Sequence, residues 1–329
     1  MVSVSEIAFL FPMIECRKVC ARFEVMTLAD ACVDLIVTGD VRPRFHQVEQ
    51  FVDDLSLQLG GSGAIFASQL ARLGASAALV GWVGADLFGD FVLSELGKSG
   101  VDVTRMKKHS TVKTCIGLAL SATNDRAILT YSGTLDIPSH NDLDPELLKS
   151  CRHWHIAGYF LMRRLQPAWK NWLELCRRSG VTTSLDTNWD PEERWEGVLE
   201  LLPLIDVFLP NEAEALAISR QTDVFSAART LAQHGSLVVV KRGGNGALAA
   251  RGDHSWELRA AESQVSPRHI VDTTGAGDNF DAGFLRAWLR REKVDDCLAL
   301  AHKCAVSSLG YAGGVAGQLC EADIASTTL

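Results

Sequence analysis

The sequence predicts an α/β fold: a mostly parallel central sheet with helices on both faces and a small β-sheet lid. Three observations predict it. Short apolar runs of strand character recur along the chain, helical segments separate them, and two stretches lack any helical period.

The strand-like runs are EVMTLADACVDLIVTG (24–39), ASAALVGWVG (75–84), CRHWHIAGYF (151–160), VTTSLDTN (181–188), DVFLPN (206–211) and SLVVVKRG (236–243). Between them AIFASQLARLG (64–74), DFVLSELGKSG (90–100), PAWKNWLELCRRSG (167–180) and SAARTLAQHG (226–235) read as helices. Each of these segments closes on glycine, the residue that most readily takes the left-handed backbone ending a helix. Residues 35–59 and 112–135 break the rhythm, and the second reads as two strands around a SATNDR turn. Together they suggest a lid inserted near the first sheet units. Residues 1–22 read as a peripheral extension, and residues 23–329 as one domain carrying the lid.

Composition narrows the function. The 329 residues carry a formal net charge of −8, which argues against broad binding to nucleic acid or anionic membranes. No apolar run approaches the roughly 18 residues a bilayer span requires. The patch IAFLFPMI follows an acid rather than basic residues, a poor secretory signal, and the expected location is the cytoplasm. The nine cysteines include no CxxC pair and read as reduced thiols. His153 and His155 alternate as strand neighbours and read as structural rather than metal-binding.

Two phosphate motifs fail. Gly97-Lys98-Ser99 resembles the end of a P-loop, but Val92 stands where its first glycine belongs, so Gly97 reads as a helix cap. Neither Gly275/Gly277 nor Gly61/Gly63 is followed by the third glycine of a dinucleotide fingerprint. What remains is DTTGAGDNFDAGF (272–284), a glycine loop that opens a helix and places an acid, Asp278, beside amides suited to an anion.

The chain resembles the ribokinase family, also called the PfkB carbohydrate kinases. The C-terminal signature of that family, D-T-x-G-A-G-D-x-F, is matched by residues 272–280. An N-terminal signature is matched by Gly60-Gly61, Ala71-Arg72-Leu73-Gly74 and Val83–Gly89, and the N-x-x-E motif by Asn211 and Glu214. The resemblance runs from about residue 24 onward and implies a ribokinase-like three-layer fold. It implies an ATP-dependent kinase acting on a hydroxyl of a small sugar or sugar-like substrate.

The roles it implies are specific. Asp278 is the general base, and the amides of Gly275, Ala276, Gly277 and Asp278 face the transferred phosphoryl group. A reference pKa of about 3.9 would leave Asp278 ionised at neutral pH. Glu214, with Asn211, organises Mg²⁺ and its waters; Lys241, Gly243 and Gly246 line the nucleotide site. Asp272 and Thr274 match the positions that hold K⁺ in family members activated by that ion. Asp34, Gly60 and Gly61 contact the sugar, and Asp186 and Asn188 end a strand at the same face. Lids of this kind pair between subunits, which implies a homodimer.

One departure bears on the substrate. Ile65 stands where many members carry a substrate-contacting asparagine. A nucleoside kinase of the same fold, with Trp82, Phe160 or Trp189 stacking on a base, is the alternative, and a non-catalytic nucleotide- or sugar-binding sensor a further one. Arg163-Arg164 would suit an acidic or phosphorylated sugar.

Overall fold

The computed structural model describes residues 21–28, 30–122, 125–260 and 270–325. The extension expected over residues 1–22 lies outside these except for residues 21 and 22, as do residues 123 and 124 of the SATNDR turn.

A nine-stranded sheet runs in the order β13 (His254–Leu258), β12 (Ala247–Arg251), β11 (Leu237–Lys241), β10 (Val207–Phe208), β9 (Thr182–Leu185), β8 (Cys151–Ile156), β1 (Phe23–Leu28), β4 (Ala77–Gly84), β5 (Asp102–His109). Every neighbouring pair from β5 to β11 is parallel, and β12 and β13 close one edge as antiparallel strands. The parallel strands are apolar on both sides because helices cover both faces. In β11, Leu237 and Val239 pack with α1 (Ser62–Arg72), α2 (Leu87–Lys98), α7 (Ala276–Leu289) and α8 (Val294–Ser308). Val238 and Val240 pack on the opposite face with α3 (Gln166–Ser179), α4 (Val198–Leu201), α5 (Glu212–Ser219) and α6 (Val224–Ala232).

A second, four-stranded sheet stands apart, in the order β3 (Asp54–Gly60), β2 (Cys32–Thr38), β6 (Ile116–Ala122), β7 (Asp125–Tyr131). Its register sorts its side chains into two faces. Asp34 pairs with Gln58 and Gly117 on one; Leu35, Leu57, Leu118 and Leu129 share the other.

The structure corrects two readings. The run 24–39 is two strands, not one: the chain leaves the large sheet after Leu28 and enters the small sheet at Cys32. A polar residue sits at the crossing, where Asp30 accepts hydrogen bonds from the amides of Ser62 (3.0 Å) and Gly63 (2.9 Å). Gly97 lies inside α2, and Gly100, at φ +89°, follows its end.

His153 and His155 point to the same side of β8 and are fully buried. Ser184 Oγ lies 2.7 Å from both His153 Nε2 and His155 Nδ1, and His153 Nδ1 lies 2.9 Å from Thr182 Oγ1. Phe66 stacks on His155 at 3.9 Å. Burial pushes His153 well below the usual imidazole range and His155 down to about 3. Both rings are therefore neutral in the fold, while the unfolded chain takes up their protons below about pH 6.5. Their contribution to stability is present above that pH and lost as pH falls. Each ring should cost about 1.4 kcal/mol between pH 7.5 and 5.5. Urea unfolding at both pH values should show His153→Asn losing that much less than wild type; equal losses would contradict a buried neutral ring.

Candidate active site

The loop ahead of α7 is held from several sides. Asp272 Oδ1 accepts from the amide and hydroxyl of Thr274 (2.9 and 2.8 Å), and Oδ2 accepts from the Gly313 amide at 2.9 Å. Gly275 caps the helix at φ +72°, and a Cβ there would lie 2.6 Å from Gly314 Cα. Only glycine satisfies both conditions. Asn279 Nδ2 donates to the carbonyls of Gly275 and Gly314, both at 2.8 Å. Gln318 Nε2 in turn donates to Asn279 Oδ1 and to Ile65 O, both at 2.9 Å. This buried amide pair holds the loop against α1. Its first partner sits inside the quoted motif, but its second lies 39 residues further on with no local signal.

The first turn of α7 leaves the amides of Ala276, Gly277 and Asp278 outside the helical ladder, with Ala276 N turning back to Thr273 O at 3.3 Å. The helix dipole adds positive potential at the same end. Asp278 is half-buried beside these amides. Its carboxylate lies in the field of Asp186, Lys241 and Asp30, near Ser62. Burial first, then the Asp186 charge, hold Asp278 well above the usual carboxylate range, against the pull of Lys241 and Ser62. The sequence reading gives Asp278 its reference value; this surrounding raises it. A carboxylate raised toward working pH is the stronger proton acceptor.

Asp186 and Asn188 end β9 beside it. Asn188, at φ +54°, donates its amide to Asp186 Oδ1 (3.1 Å) and its side chain to Ser62 Oγ (2.7 Å), and accepts from Gly158 N at 2.8 Å. The open end of a parallel sheet thus gathers both residues where the sequence placed them. Asp30, which the sequence reading passed over, joins the cluster; burial raises it, offset by the two α1 amides.

Lys241, expected along the nucleotide site, turns its ammonium inward. Nζ lies 2.8 Å from Asp186 Oδ2 and 3.1 and 3.0 Å from the two oxygens of Asp281. Gly243 and Gly246, nearby in sequence, form the tight connection between β11 and β12, with Arg242 N donating to Gly246 O at 2.9 Å. Asn211 and Glu214 form a reciprocal cap on α5: Glu214 N donates to Asn211 Oδ1 and Asn211 N to Glu214 Oε2, both at 2.9 Å. Glu214 is buried rather than solvated, and burial followed by the Asp186 charge pushes its carboxyl up to about 7.

On the small sheet, Asp34 lies over bare backbone. A Cβ on Gly60 would fall 2.5–2.6 Å from both its oxygens, and one on Gly117 would fall 2.7 Å from Oδ1. Gly61 leads into Ser62, whose hydroxyl accepts from Asn188 Nδ2 at 2.7 Å, so one short turn joins the Asp34 seat to the end of β9. Ile65 faces away from any such opening: it is buried against Gly275 and Gly314. Arg163 pairs with Glu192, and Arg164 donates to Asp136 O. Phe160 is buried against Tyr159 and Trp195, whereas Trp189 is half exposed. Trp82 borders a recess with Asp30, and its indole N–H donates to Asp142 at 3.1 Å.

Residues 23–319 match the profile of the pfkB family carbohydrate kinase. The chain belongs to the pfkB family of carbohydrate kinases. This kinase is 30% identical to a fructokinase from Klebsiella pneumoniae over 301 residues, covering 86% of the chain and 90% of that protein. Two solved structures share its fold. An adenosine kinase from Sinorhizobium meliloti superposes with a TM-score of 0.82 at 22% identity, covering 94% of this chain and 100% of that one. A ribokinase from Arabidopsis thaliana, complexed with ribose and ATP, superposes with a TM-score of 0.79 at 21% identity, covering 92% and 98%.

The amide pair makes this kinase's loop testable by stability. Asn279→Ala leaves the Gly314 carbonyl and one Gln318 proton without a partner, while the Gly275 carbonyl keeps the backbone N–H of residue 279. It should cost about 2–4 kcal/mol in urea unfolding, and a change under 0.5 kcal/mol would show that the loop is held by other contacts.

Proposed function

We propose that this kinase transfers the γ-phosphoryl group of ATP to a hydroxyl of a small sugar or sugar-like molecule, with Asp278 as general base. One observation carries the reading: the Asp278 carboxylate stands in the first turn of α7 beside the amides of Gly277 and Asp278, which have no helical partner. In the reaction the substrate oxygen forms a bond to the γ-phosphorus while the bond from phosphorus to the bridging oxygen breaks, releasing ADP. The hydroxyl proton passes to Asp278. The amides of Gly275, Ala276, Gly277 and Asp278 stabilise charge on the phosphoryl oxygens, which need no reorientation as the charge develops.

Several carboxyls, Asp30, Asp186, Asp281, Glu214 and Asp278, converge here, with Lys241 set among them. This surplus of negative charge fits Mg²⁺, which Glu214 and Asn211 would hold through water and which would neutralise nucleotide charge when bound. The nucleotide would lie along the Gly243–Gly246 turn and near Asn188. Asp272 and Thr274 are assigned to K⁺ where the ion is used; turnover in KCl against NaCl reads this.

Asp34, seated on Gly60 and beside Gly61, suits vicinal hydroxyls, since a carboxylate accepts two hydrogen bonds at once. The engaged arginine pair offers no support for an acidic or phosphorylated sugar. A nucleoside remains the second reading, because Trp189, next to Asn188, is half exposed. ADP release with a panel of sugars and nucleosides decides between them, and turnover confined to nucleosides would reject the sugar. In that assay Asp278→Asn should lower kcat by about 10²–10⁴-fold with nucleotide binding retained. Unchanged turnover would remove Asp278 as base.

The small sheet would act as a lid excluding water from the transfer. Its apolar face leaves Leu55, Leu57, Leu129 and Tyr131 exposed, which supports pairing of two lids in a homodimer. Leu57→Glu should shift sedimentation from dimer to monomer; a wild-type monomer would sink the pairing.

A further inference from the structure

The base reading leaves one buried group unused. Lys241 sits at the end of β11 with its side chain 12% exposed, between Asp186 at 5% and Asp281 at 1%. The three residues come from β11, β9 and the second turn of α7. A Cβ built on Gly277 would lie 3.5 Å from Lys241 Nζ, so the ammonium lies directly beneath the amides assigned to the phosphoryl group.

The contacts form a chain. Ser62 meets Asn188, Asn188 meets Asp186, Asp186 meets Lys241, and Lys241 meets Asp281, one turn from Asp278 on the same helix. A buried ion pair of this kind is weak evidence for stability, since desolvation consumes most of its Coulomb gain. It does fix geometry, because the ammonium must meet carboxylates on separate elements at once. Apolar side chains could fill the same space without specifying where the head of α7 stands.

We propose that Lys241 is a positioning residue: clamped between Asp186 and Asp281, its ammonium fixes the first turn of α7, and with it Asp278 and the neighbouring amides, against the end of the parallel sheet. The proposal rests on Asp278 being the base. It departs from a nucleotide contact, because the ammonium is already engaged beneath the loop.

The charge pattern supports the geometry. The groups facing this ammonium are Asp186 from β9, Asp281 and Asp278 from α7, and Glu214 from α5, while Asp30 faces Asp278 from the β1–β2 crossing. Burial disfavours the ammonium charge, but these acids outweigh it and hold Lys241 above the usual lysine range. Burial likewise opposes ionisation of Asp186, yet the Lys241 ammonium leaves it below the usual carboxylate range. Lys241 also counters the rise in Asp278. Removing the ammonium therefore has two consequences: the helix head loses its tether, and Asp278 loses a positive neighbour.

The test is steady-state kinetics of Lys241→Met, Lys241→Arg, Asp281→Asn and Asp278→Asn across pH, with urea unfolding to establish folding. Lys241→Met should lower kcat by about 10²-fold while KM for ATP stays within threefold, the loss expected for misplaced reacting groups. The acid limb of its kcat profile should move up by about one pH unit, the effect of deleting an opposite charge. Lys241→Arg should recover part of kcat and return the limb toward wild type. Asp281→Asn strands no charge and decides the matter if Lys241→Met fails to fold; it should lower kcat several-fold without changing KM. Folded variants with kcat within twofold of wild type and an unmoved limb would overturn the proposal. A loss confined to KM for ATP would overturn it too, making Lys241 a nucleotide contact. Should Asp278→Asn itself keep full turnover, the base reading fails and the clamp with it; an inactive Asp278→Asn beside an active Lys241→Met sinks the clamp alone.

Discussion

The head of α7 places the Asp278 carboxylate beside first-turn amides, and several separate elements of the fold meet to hold it there. A helix N-terminus offers unpaired N–H groups and a favourable dipole wherever it occurs. What distinguishes this one is its support. A left-handed glycine turns the chain into the helix, and Asn279 and Gln318 tie the turn to α1. Lys241 and Asp281 meet beneath the first turns. Dipoles fixed in this way need not reorient when charge develops on a transferred group.

Concentrating acids at the same place has a cost that the structure contains locally. Buried carboxyls without partners would be expensive, and here the buried ones have donors: main-chain amides for Asp30, Lys241 for Asp186 and Asp281, and Asn211 for Glu214. The remaining charge is expressed as raised proton affinity. That holds Asp278 above the usual carboxylate range. The buried histidine pair of β8 shows the opposite solution, in which neutral rings satisfy one another through a shared serine.

The two sheets divide the labour. The large sheet, covered on both faces, supplies rigid strand ends from which Asp186 and Lys241 project. The small sheet is open, polar around Asp34 and apolar on its other side. The crossing between them is short and anchored by Asp30 on the α1 amides, so the small sheet is tethered to the start of α1.

Local sequence was enough for the alternation of strands and helices, the separate small sheet, and the residues that gather at the sheet end, because periodicity and glycine punctuation are local and the kinase motifs are contiguous. Asp278, the Gly275–Gly277 loop, Asp186 and Asn188 were legible in that way. The apolar run 24–39 carried no sign that it divides between two sheets, since β propensity is the same on either side of the crossing. Nor could spacing show that Ile65 packs under the glycine loop, that Gln318 completes the Asn279 network, or that Lys241 faces inward. Those facts depend on which side chains meet across long stretches of chain. Only the tertiary structure decides them, because a lysine near a nucleotide motif and a lysine clamped by two buried acids are identical until the helices are packed.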